Sequence, residues 1–322
     1  MKAAVRTKYG LPGDVCIREV EIPVPKADEV LIKVFATTVN RSDCHVLSGR
    51  PFVMRLFTGL WKPRRSIIGS DFSGRIEATG SNVKNFTAGS RIMGFGGAFG
   101  CGAHAQYFTM AESKAVKSIV SRPNMIDDDE TAACLEGAVY ACSFVLQLNI
   151  QPGQKALVYG ATGAIGSACV QFLKSYGVGV TAACGGENAE LVRRLGADKI
   201  IDYRKEDFTK DEERYDYVFD AVGKTSFLKC RPLLKDKGLF SSAGGAINLL
   251  WVLVTPLFGG KKVLFPKLTS IRHALEFIKD QVEKGKFKPL IDKKYPLEKI
   301  AEAYKYVASG QKLGNVVIAM DE

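Results

Sequence analysis

No two of the eight cysteines, at positions 16, 44, 101, 134, 142, 169, 184 and 230, stand in a C-x-x-C pair. That absence argues against a zinc ribbon. Several lie inside apolar runs, where a free thiol behaves as a small core residue, which argues against a disulfide framework and for a reducing compartment, expected to be the cytoplasm. Tracts of five or more basic residues are missing too, although the 322-residue chain carries a formal charge of +11. Scattered basic residues read more readily as an enzyme surface that attracts an anionic cofactor than as a nucleic-acid footprint. The longest apolar stretch, Ala246 to Phe258, contains Asn248, Thr255 and Pro256 and is too short to span a bilayer. No signal peptide is read at the start, which opens on Lys2-Ala3-Ala4-Val5. Internal repeats and low-complexity segments are absent.

What is present centres on residues 155–180, KALVYGATGAIGSACVQFLKSYGVGV. Lys155 to Tyr159 reads as a short apolar strand. Gly160, Gly163 and Gly166 follow at three-residue spacing. Ile165, Ala168, Cys169, Phe172, Leu173 and Tyr176 then recur at the offsets of one helical face. A second apolar run, Val178 to Cys184, ends at Gly185-Gly186. Strand, glycine turn, helix and strand make a βαβ unit of the length a dinucleotide fold requires. One glycine permits the tight turn, one lets backbone approach a pyrophosphate, and one lets helix and strand pack closely. The alternative is a purely structural glycine turn.

Around this unit the chain changes character. Residues 1 to about 124 are rich in short strand signals: Met1 to Arg6, Val30 to Ala36, Ser73 to Thr79, Ser90 to Phe95 and Ala105 to Thr109, separated by Gly and Pro. Met54 to Arg65 is apolar and then basic, and reads as a loop or short helix. Asp127-Asp128-Asp129-Glu130 supplies the acidic start of a helix over Thr131 to Leu148. After the glycine turn come helices at Ala189 to Leu195 and Thr225 to Leu234. Strands are expected at Lys199 to Asp202, Asp216 to Ala221 and Gly238 to Ala243. That alternation predicts a doubly wound parallel sheet, with ligand outside the carboxyl ends of its strands. The Gly160 turn, Gly185-Gly186, Val222-Gly223 and Ala243-Gly244-Gly245 would share that rim. A helix over Ser270 to Lys284 and a final strand over Asn315 to Met320 close the chain. The expected domains are residues 1–124 with 266–322, and residues 125–265.

Seven pieces, in this order and spacing, carry a resemblance over the whole length: Pro25 to Val34 (PKADEVLIKV), Gly69 to Gly74 (GSDFSG), Gly89 to Phe95 (GSRIMGF), Pro152 to Gly166 (PGQKALVYGATGAIG), Leu195 to Phe208 (LGADKIIDYRKEDF), Tyr215 to Gly223 (YDYVFDAVG) and Lys312 to Ile318 (KLGNVVI). The chain resembles the medium-chain dehydrogenase/reductases, and within them the zinc-independent quinone oxidoreductase branch. The resemblance implies an α/β protein: a GroES-like β-rich catalytic domain split around a Rossmann domain that binds NADP(H). It also implies a homodimer.

Where the family's alcohol dehydrogenases hold zinc, this sequence has Asn40 in the Cys position of Asn40-Arg41-Ser42-Asp43-Cys44-His45 and Ser70 in the His position. The third position falls near Glu136, which reads either as a protonatable pocket group or as a surface residue. Asn, Ser and Glu are a poor set for a metal that favours thiolate and imidazole, so no metal site is expected. Phosphate contacts are expected from Gly160, Thr162, Gly163, Ala164, Ile165 and Gly166, and the rest of the cofactor from Gly185, Gly186, Tyr203, Arg204, Val222, Ala243 and Gly244. The second strand ends in glycines, with Glu187 only afterwards. Arg204 matches the family's NADPH pattern and Arg193 and Arg194 lie on the adjoining helix, which favours NADPH over NADH; the alternative for these arginines is a solvated helix face, and Ala189, where the family often has Lys, does not help.

By resemblance, Asn40, Ser42 and His45 face the nicotinamide. His45 is either a proton relay or a hydrogen-bonded structural residue, and Tyr140 is a phenolic donor or a wall of the pocket. His104 and His273 read as structural. The leading function is NADPH-dependent reduction of small-molecule quinones or α,β-unsaturated carbonyls. The alternatives are a metal-free alcohol or aldehyde oxidoreductase, and a non-catalytic NADPH-binding protein that senses redox state or binds nucleic acid.

Overall fold

Strand Lys155–Tyr159, helix Ala164–Ser175 and strand Gly179–Cys184 form in the predicted order, in a computed structural model that describes residues 1–244, 246–267 and 270–320. Gly245, expected on the ligand rim, lies outside the described residues. The chain divides into two units. One comprises Met1–Glu136, Ser270–Glu283 and Pro289–Glu322; the other comprises Gly137–Thr269 and Lys284–Lys288.

The second unit is built on a six-stranded parallel sheet. Its order is Lys199–Asp202, Gly179–Cys184, Lys155–Tyr159, Tyr215–Asp220, Leu234–Ser242 and Lys262–Leu264. Tyr159 pairs with Ala183 on one side and with Asp220 on the other, so the carboxyl ends of the central strands share one rim. The central strands are buried along most of their length, as in a sheet with helices on both faces. Leu157, Ala183, Val218, Phe227, Leu233 and Phe240 are among its fully buried residues.

One expectation for this unit differs from the structure, and one strand is unexpected. Thr225 to Leu234 is not one helix: Phe227–Cys230 is helical, then Arg231–Leu233 tightens to a 3-10 turn. Pro232 is the reason, since it removes an N–H and cannot continue the helix. Strand Lys262–Leu264 leaves no mark in the sequence; its three residues between glycines and proline are too few for a periodic signal. Residues 284–288 join this unit through Phe287, whose ring centroid lies 4.9 Å from that of Phe172, and through Lys288, whose N–H donates to Gln171 Oε1 at 2.9 Å.

The first unit is organised by strand Glu29–Val39, the longest in the chain at 11 residues. It pairs antiparallel with Asp71–Thr79, Tyr107–Ala111 and Asn315–Ala319 inside a seven-stranded sheet. Val30, Ile32, Val34 and Val39 from this strand, with Phe72, Ile76, Tyr304 and Ile318, lie in one buried core.

The expected helix over Thr131 to Leu148 is two helices, Asp128–Ala133 and Glu136–Val145. At the break, the N–H of Leu135 bonds to the Ala132 carbonyl at 3.2 Å, a tightened turn. The next N–H, of Glu136, donates to Asp71 Oδ2 at 3.4 Å. Asp127 caps the first helix by accepting from the Glu130 N–H at 2.8 Å, as its acidic start predicts. Residues 125–136 group with the first unit although the sequence reading put them in the second. Asp128 accepts from Ser73 Oγ at 2.6 Å and from Arg91 Nη2 at 2.5 Å, while Ala132 and Ala133 pack with Ala36 and Val317.

Candidate active site

In the second unit the three glycines have three geometries. Gly160 sits at φ +81°, a left-handed turn; a Cβ there would come within 2.1 Å of Val222 Cγ2. Gly166 packs so tightly that a Cβ would lie 2.1 Å from the Gly160 carbonyl oxygen. Gly163, between them, has only that oxygen nearby, 3.6 Å from its notional Cβ, so this face of the turn is open. It is also the N-cap of helix Ala164–Ser175, in extended conformation and with no side-chain cap. The first N–H groups of the helix and its positive dipole end are thereby left to an anion. Thr162 and Ile165 are half-buried on this turn, while Ala164 and Gly166 are buried.

Further along the rim, Asp220 fastens the loop after its strand. It accepts from the N–H groups of Val222 at 3.0 Å, Gly223 at 2.8 Å and Thr225 at 3.0 Å, and from Ser242 Oγ at 3.0 Å. Ala243 N–H donates to the Asp220 carbonyl at 2.8 Å, and Gly223 abuts Gly244 closely enough that a Cβ would meet its Cα at 2.9 Å. At the neighbouring strand end, carboxylates border the two glycines. A Cβ on Gly185 would meet Glu187 Oε2 at 2.7 Å, and one on Gly186 would meet Asp202 Oδ2 at 2.2 Å. Arg204 Nη2 lies 2.8 Å from Glu187 Oε1, and Arg193 pairs with Glu190 at 3.0 Å. Tyr203, exposed, meets the Tyr159 ring edge-on at 5.8 Å.

The first unit gathers Asn40, Ser42, Ser70 and Glu136. Ser42 Oγ donates to Glu136 Oε1 and Ser70 Oγ donates to Oε2. Asn40 Nδ2 donates to Glu136 Oε2 at 3.3 Å and to Thr38 Oγ1 at 2.5 Å. Asn40, Ser70 and Glu136 are buried, and Ser42 is half-buried. Of the two readings open in the sequence, a surface position is excluded, since Glu136 is buried. Burial first, and then repulsion from Asp71, pushes its carboxyl up to about 7, against the two serine hydrogen bonds and the Lys312 charge. The half-buried Lys312 ammonium is pushed down to about 8, chiefly by desolvation. Asp71 is raised by burial although Thr38 N–H donates to it at 2.9 Å and Thr38 Oγ1 at 2.6 Å. Asp43 accepts from Asn40 N–H at 2.8 Å in a capping box that starts helix Arg41–Ser48.

His45 is exposed on that helix, and its Nδ1–H donates to the Arg50 carbonyl at 3.0 Å; no bond links it to Glu136. Tyr140 is half-buried one turn beyond Glu136 on helix Glu136–Val145. His104, read as structural, is buried: Nε2–H donates to the Thr38 carbonyl at 3.0 Å, and Nδ1 accepts from Tyr304 Oη at 3.1 Å. Burial pushes it down to about 4. Lys312, Asp43 and Asp220 were not read as site residues. The Asn40-x-x-Asp43 spacing was the one available signal, for a helix start.

Residues 26–121 match the alcohol dehydrogenase GroES-like domain, and residues 195–318 match a domain described as zinc-binding dehydrogenase. The chain is 31% identical over 318 residues to the chloroplast envelope quinone oxidoreductase homolog of Arabidopsis thaliana, covering 93% of this chain and 92% of that one. It belongs to the medium-chain dehydrogenase/reductases. It is an oxidoreductase of that superfamily's quinone oxidoreductase-like group, which uses a nicotinamide cofactor. It is also 32% identical over 326 residues to the NADPH-dependent alkenal/one oxidoreductase of the same plant, covering 99% of this chain and 79% of that one. The Escherichia coli quinone oxidoreductase solved with NADPH shares the fold, with a TM-score of 0.83 at 21% identity over 99% of this chain and 100% of that one.

The description of one matched domain implies zinc, and the donors here fit it poorly. Where the superfamily's zinc enzymes present thiolate and imidazole, this member presents an amide, a hydroxyl and one carboxyl already accepting from two serines. Among the described residues no three His, Cys, Asp or Glu side chains converge as a metal set. No described helix is long and apolar enough to cross a membrane.

Proposed function

We propose that this enzyme reduces quinones or α,β-unsaturated carbonyls with NADPH and without a metal. The observation that carries the reading is the buried Glu136 carboxyl, held by Ser42 and Ser70, in the region that by resemblance corresponds to the superfamily's zinc position. Two relatives point the same way, one named a quinone oxidoreductase homolog and the other an alkenal/one oxidoreductase.

A bound reduced nicotinamide supplies a hydride. Zinc would stabilise a single alkoxide oxygen. Lacking a good zinc set, these residues suit an acceptor that spreads its charge into an enolate or hydroquinone. Proton delivery then falls to the chain. Protonated Glu136 reverses the Ser42 bond: the carboxyl O–H donates to Oγ, and the serine proton turns outward. A carboxyl poised near neutrality can both give and regain that proton at physiological pH. Asn40 and Ser70 hold the other carboxyl oxygen, which fixes the orientation of the pair. In the second unit, Gly163 and the uncapped helix start would receive the pyrophosphate, and Arg204 the 2′-phosphate once it leaves Glu187.

The test is product analysis on an α,β-unsaturated ketone with deuterated NADPH. Deuterium at the β-carbon is the expected result. Deuterium at the carbinol carbon, or activity abolished by exhaustive chelation and restored by zinc, would refute the reading.

A homodimer is part of the proposal. Strand Lys262–Leu264 ends its sheet, and Leu253, Leu257 and Phe258 nearby in sequence are 74, 79 and 81% exposed. Light scattering at micromolar concentration should give twice the chain mass. The eight unpaired cysteines suit a reducing compartment such as the cytoplasm.

A further inference from the structure

The first unit contains a pocket of about 370 Å³ that the proposed reaction does not use. Four cations line it, Arg6, Arg64, Arg65 and Lys114, and no carboxylate does. Arg6 is committed to the fold: it is buried, and its guanidinium donates to the Arg65 and Val46 carbonyls. The other three make no ion pair among the described residues. Burial, with the Arg65 charge adding to it, holds Lys114 below its ordinary value, so an anion here would relieve a real repulsion.

Backbone adds to this. The glycine-rich loop Gly96-Gly97-Ala98-Phe99-Gly100 forms one wall. Its Gly97 and Gly100 are in positive-φ conformations, at 92° and 82°. The N–H groups of Gly97, Ala98 and Phe99 have no protein acceptor among the described residues. Successive free N–H groups in such a loop form an anion-binding concavity. Opposite in character, the Phe57 and Phe99 rings stack at 5.1 Å with 13° between planes and give the pocket an apolar side. The helix that carries Phe57 is held in place by Tyr9, whose hydroxyl donates to the Gly59 carbonyl at 2.5 Å.

We propose that this pocket binds the carboxylate or phosphate of a small amphiphilic anion, with Phe57 and Phe99 covering its apolar part. The same loop is tied to the site described above. Gly96 N–H donates to the Ser70 carbonyl at 2.6 Å, and Ser70 Oγ donates to Glu136. An anchored anion thus lies one loop away from the proton-holding carboxyl. The preferred substrate is an enone or quinone that carries a negative charge at its far end. This rests on the proposed reaction for the reactive half of the ligand only.

The probes are trans-7-oxo-5-octenoic acid and its methyl ester, one shape with and without charge. The acid should show a KM about tenfold below the ester, and Arg65→Ala/Lys114→Ala should raise the acid's KM about tenfold while leaving the ester's KM and both kcat values unchanged. Equal KM values in the wild type, or an acid preference that survives in the variant, overturn the proposal. Arg64→Ala/Arg65→Ala, at two exposed positions, replaces the first variant if that one does not fold. A calorimetric titration with saturated 7-oxooctanoate needs no turnover. Binding that is lost in the variant and unaffected by NADP+ supports the site. No binding, or competition with NADP+, overturns it. Displacement by inorganic phosphate supports the site and identifies a free oxyanion as sufficient. Failure to reduce either enone while 7-oxooctanoate binds as expected would sink the reaction and leave this pocket standing.

Discussion

Arg204 is paired with Glu187, Nη2 to Oε1 at 2.8 Å, beside the glycines that end the second strand of the nucleotide-binding sheet. Both side chains are more than half or about half exposed, 61% and 50%, so the pair is cheap to open. A 2′-phosphate would take Arg204 from Glu187 and would also meet the carboxylate it displaces. Glu187→Gln should therefore tighten NADPH and leave NADH nearly unchanged. Arg204→Ala should weaken NADPH roughly tenfold or more, the worth of a charge-assisted phosphate contact. Dissociation constants for both cofactors by fluorescence titration check this; equal effects on the two would remove the pair from cofactor choice.

Glu136 bears on pH. As a proton donor with its carboxyl at about 7, it should give a kcat/KM that falls as pH rises through 7. Glu136→Gln should remove that limb and lower kcat by roughly a hundredfold or more, the usual worth of a general acid. A pH profile of the variant that keeps the limb assigns the titration to another group.

Stability carries a second sign for the same residue. Its folded value lies above its unfolded one of 4.5, so its favourable contribution is full below 4.5 and lost as pH rises through about 7. His104 runs the other way. Its folded value, about 4, lies below the ordinary 6.5, so the stability it contributes is full above 6.5 and lost as pH falls towards 4. His104→Gln should flatten the acid side of the stability curve, a difference on the order of 3 kcal/mol between pH 7 and pH 4. Urea unfolding at several pH values measures it.

Gly166→Ala places a methyl 2.1 Å from a backbone oxygen that cannot swing away. Overpacking of this kind costs about 1–3 kcal/mol, and here it should also disturb the turn proposed to receive the pyrophosphate. Calorimetry should find a lower Tm and a weaker cofactor together. Gly163→Ala, in open space, should leave the Tm nearly unchanged.

Much of this architecture was legible in the chain. The spacing of Gly160, Gly163 and Gly166 pointed to a turn and to close helix–strand packing, which Gly160 and Gly166 make, and it left Gly163 facing open space between them. Strand Lys199–Asp202 stands where apolar alternation put it. Local signals failed where a distant group decided the matter. The helix break before Glu136 depends on Asp71, 65 residues earlier, so no window around residue 135 could reveal it. The same distance hid the carboxyl's partners, since Ser42 and Ser70 reach it from 94 and 66 residues away. Only the resemblance, through Asn40 and Ser70, brought those positions to attention.

The short excursion Lys284–Lys288 has a practical consequence for anyone who would treat the nucleotide-binding part as a portable module. That part is not one uninterrupted length of chain. A gene fragment trimmed to residues 137–269 would express a body missing Phe287 against Phe172 and the two hydrogen bonds between Gln171 and Lys288, at 2.9 and 3.0 Å. Swapping this part between relatives would succeed best with both pieces transferred, so that the recipient inherits its own plug for the helix that follows the glycine turn.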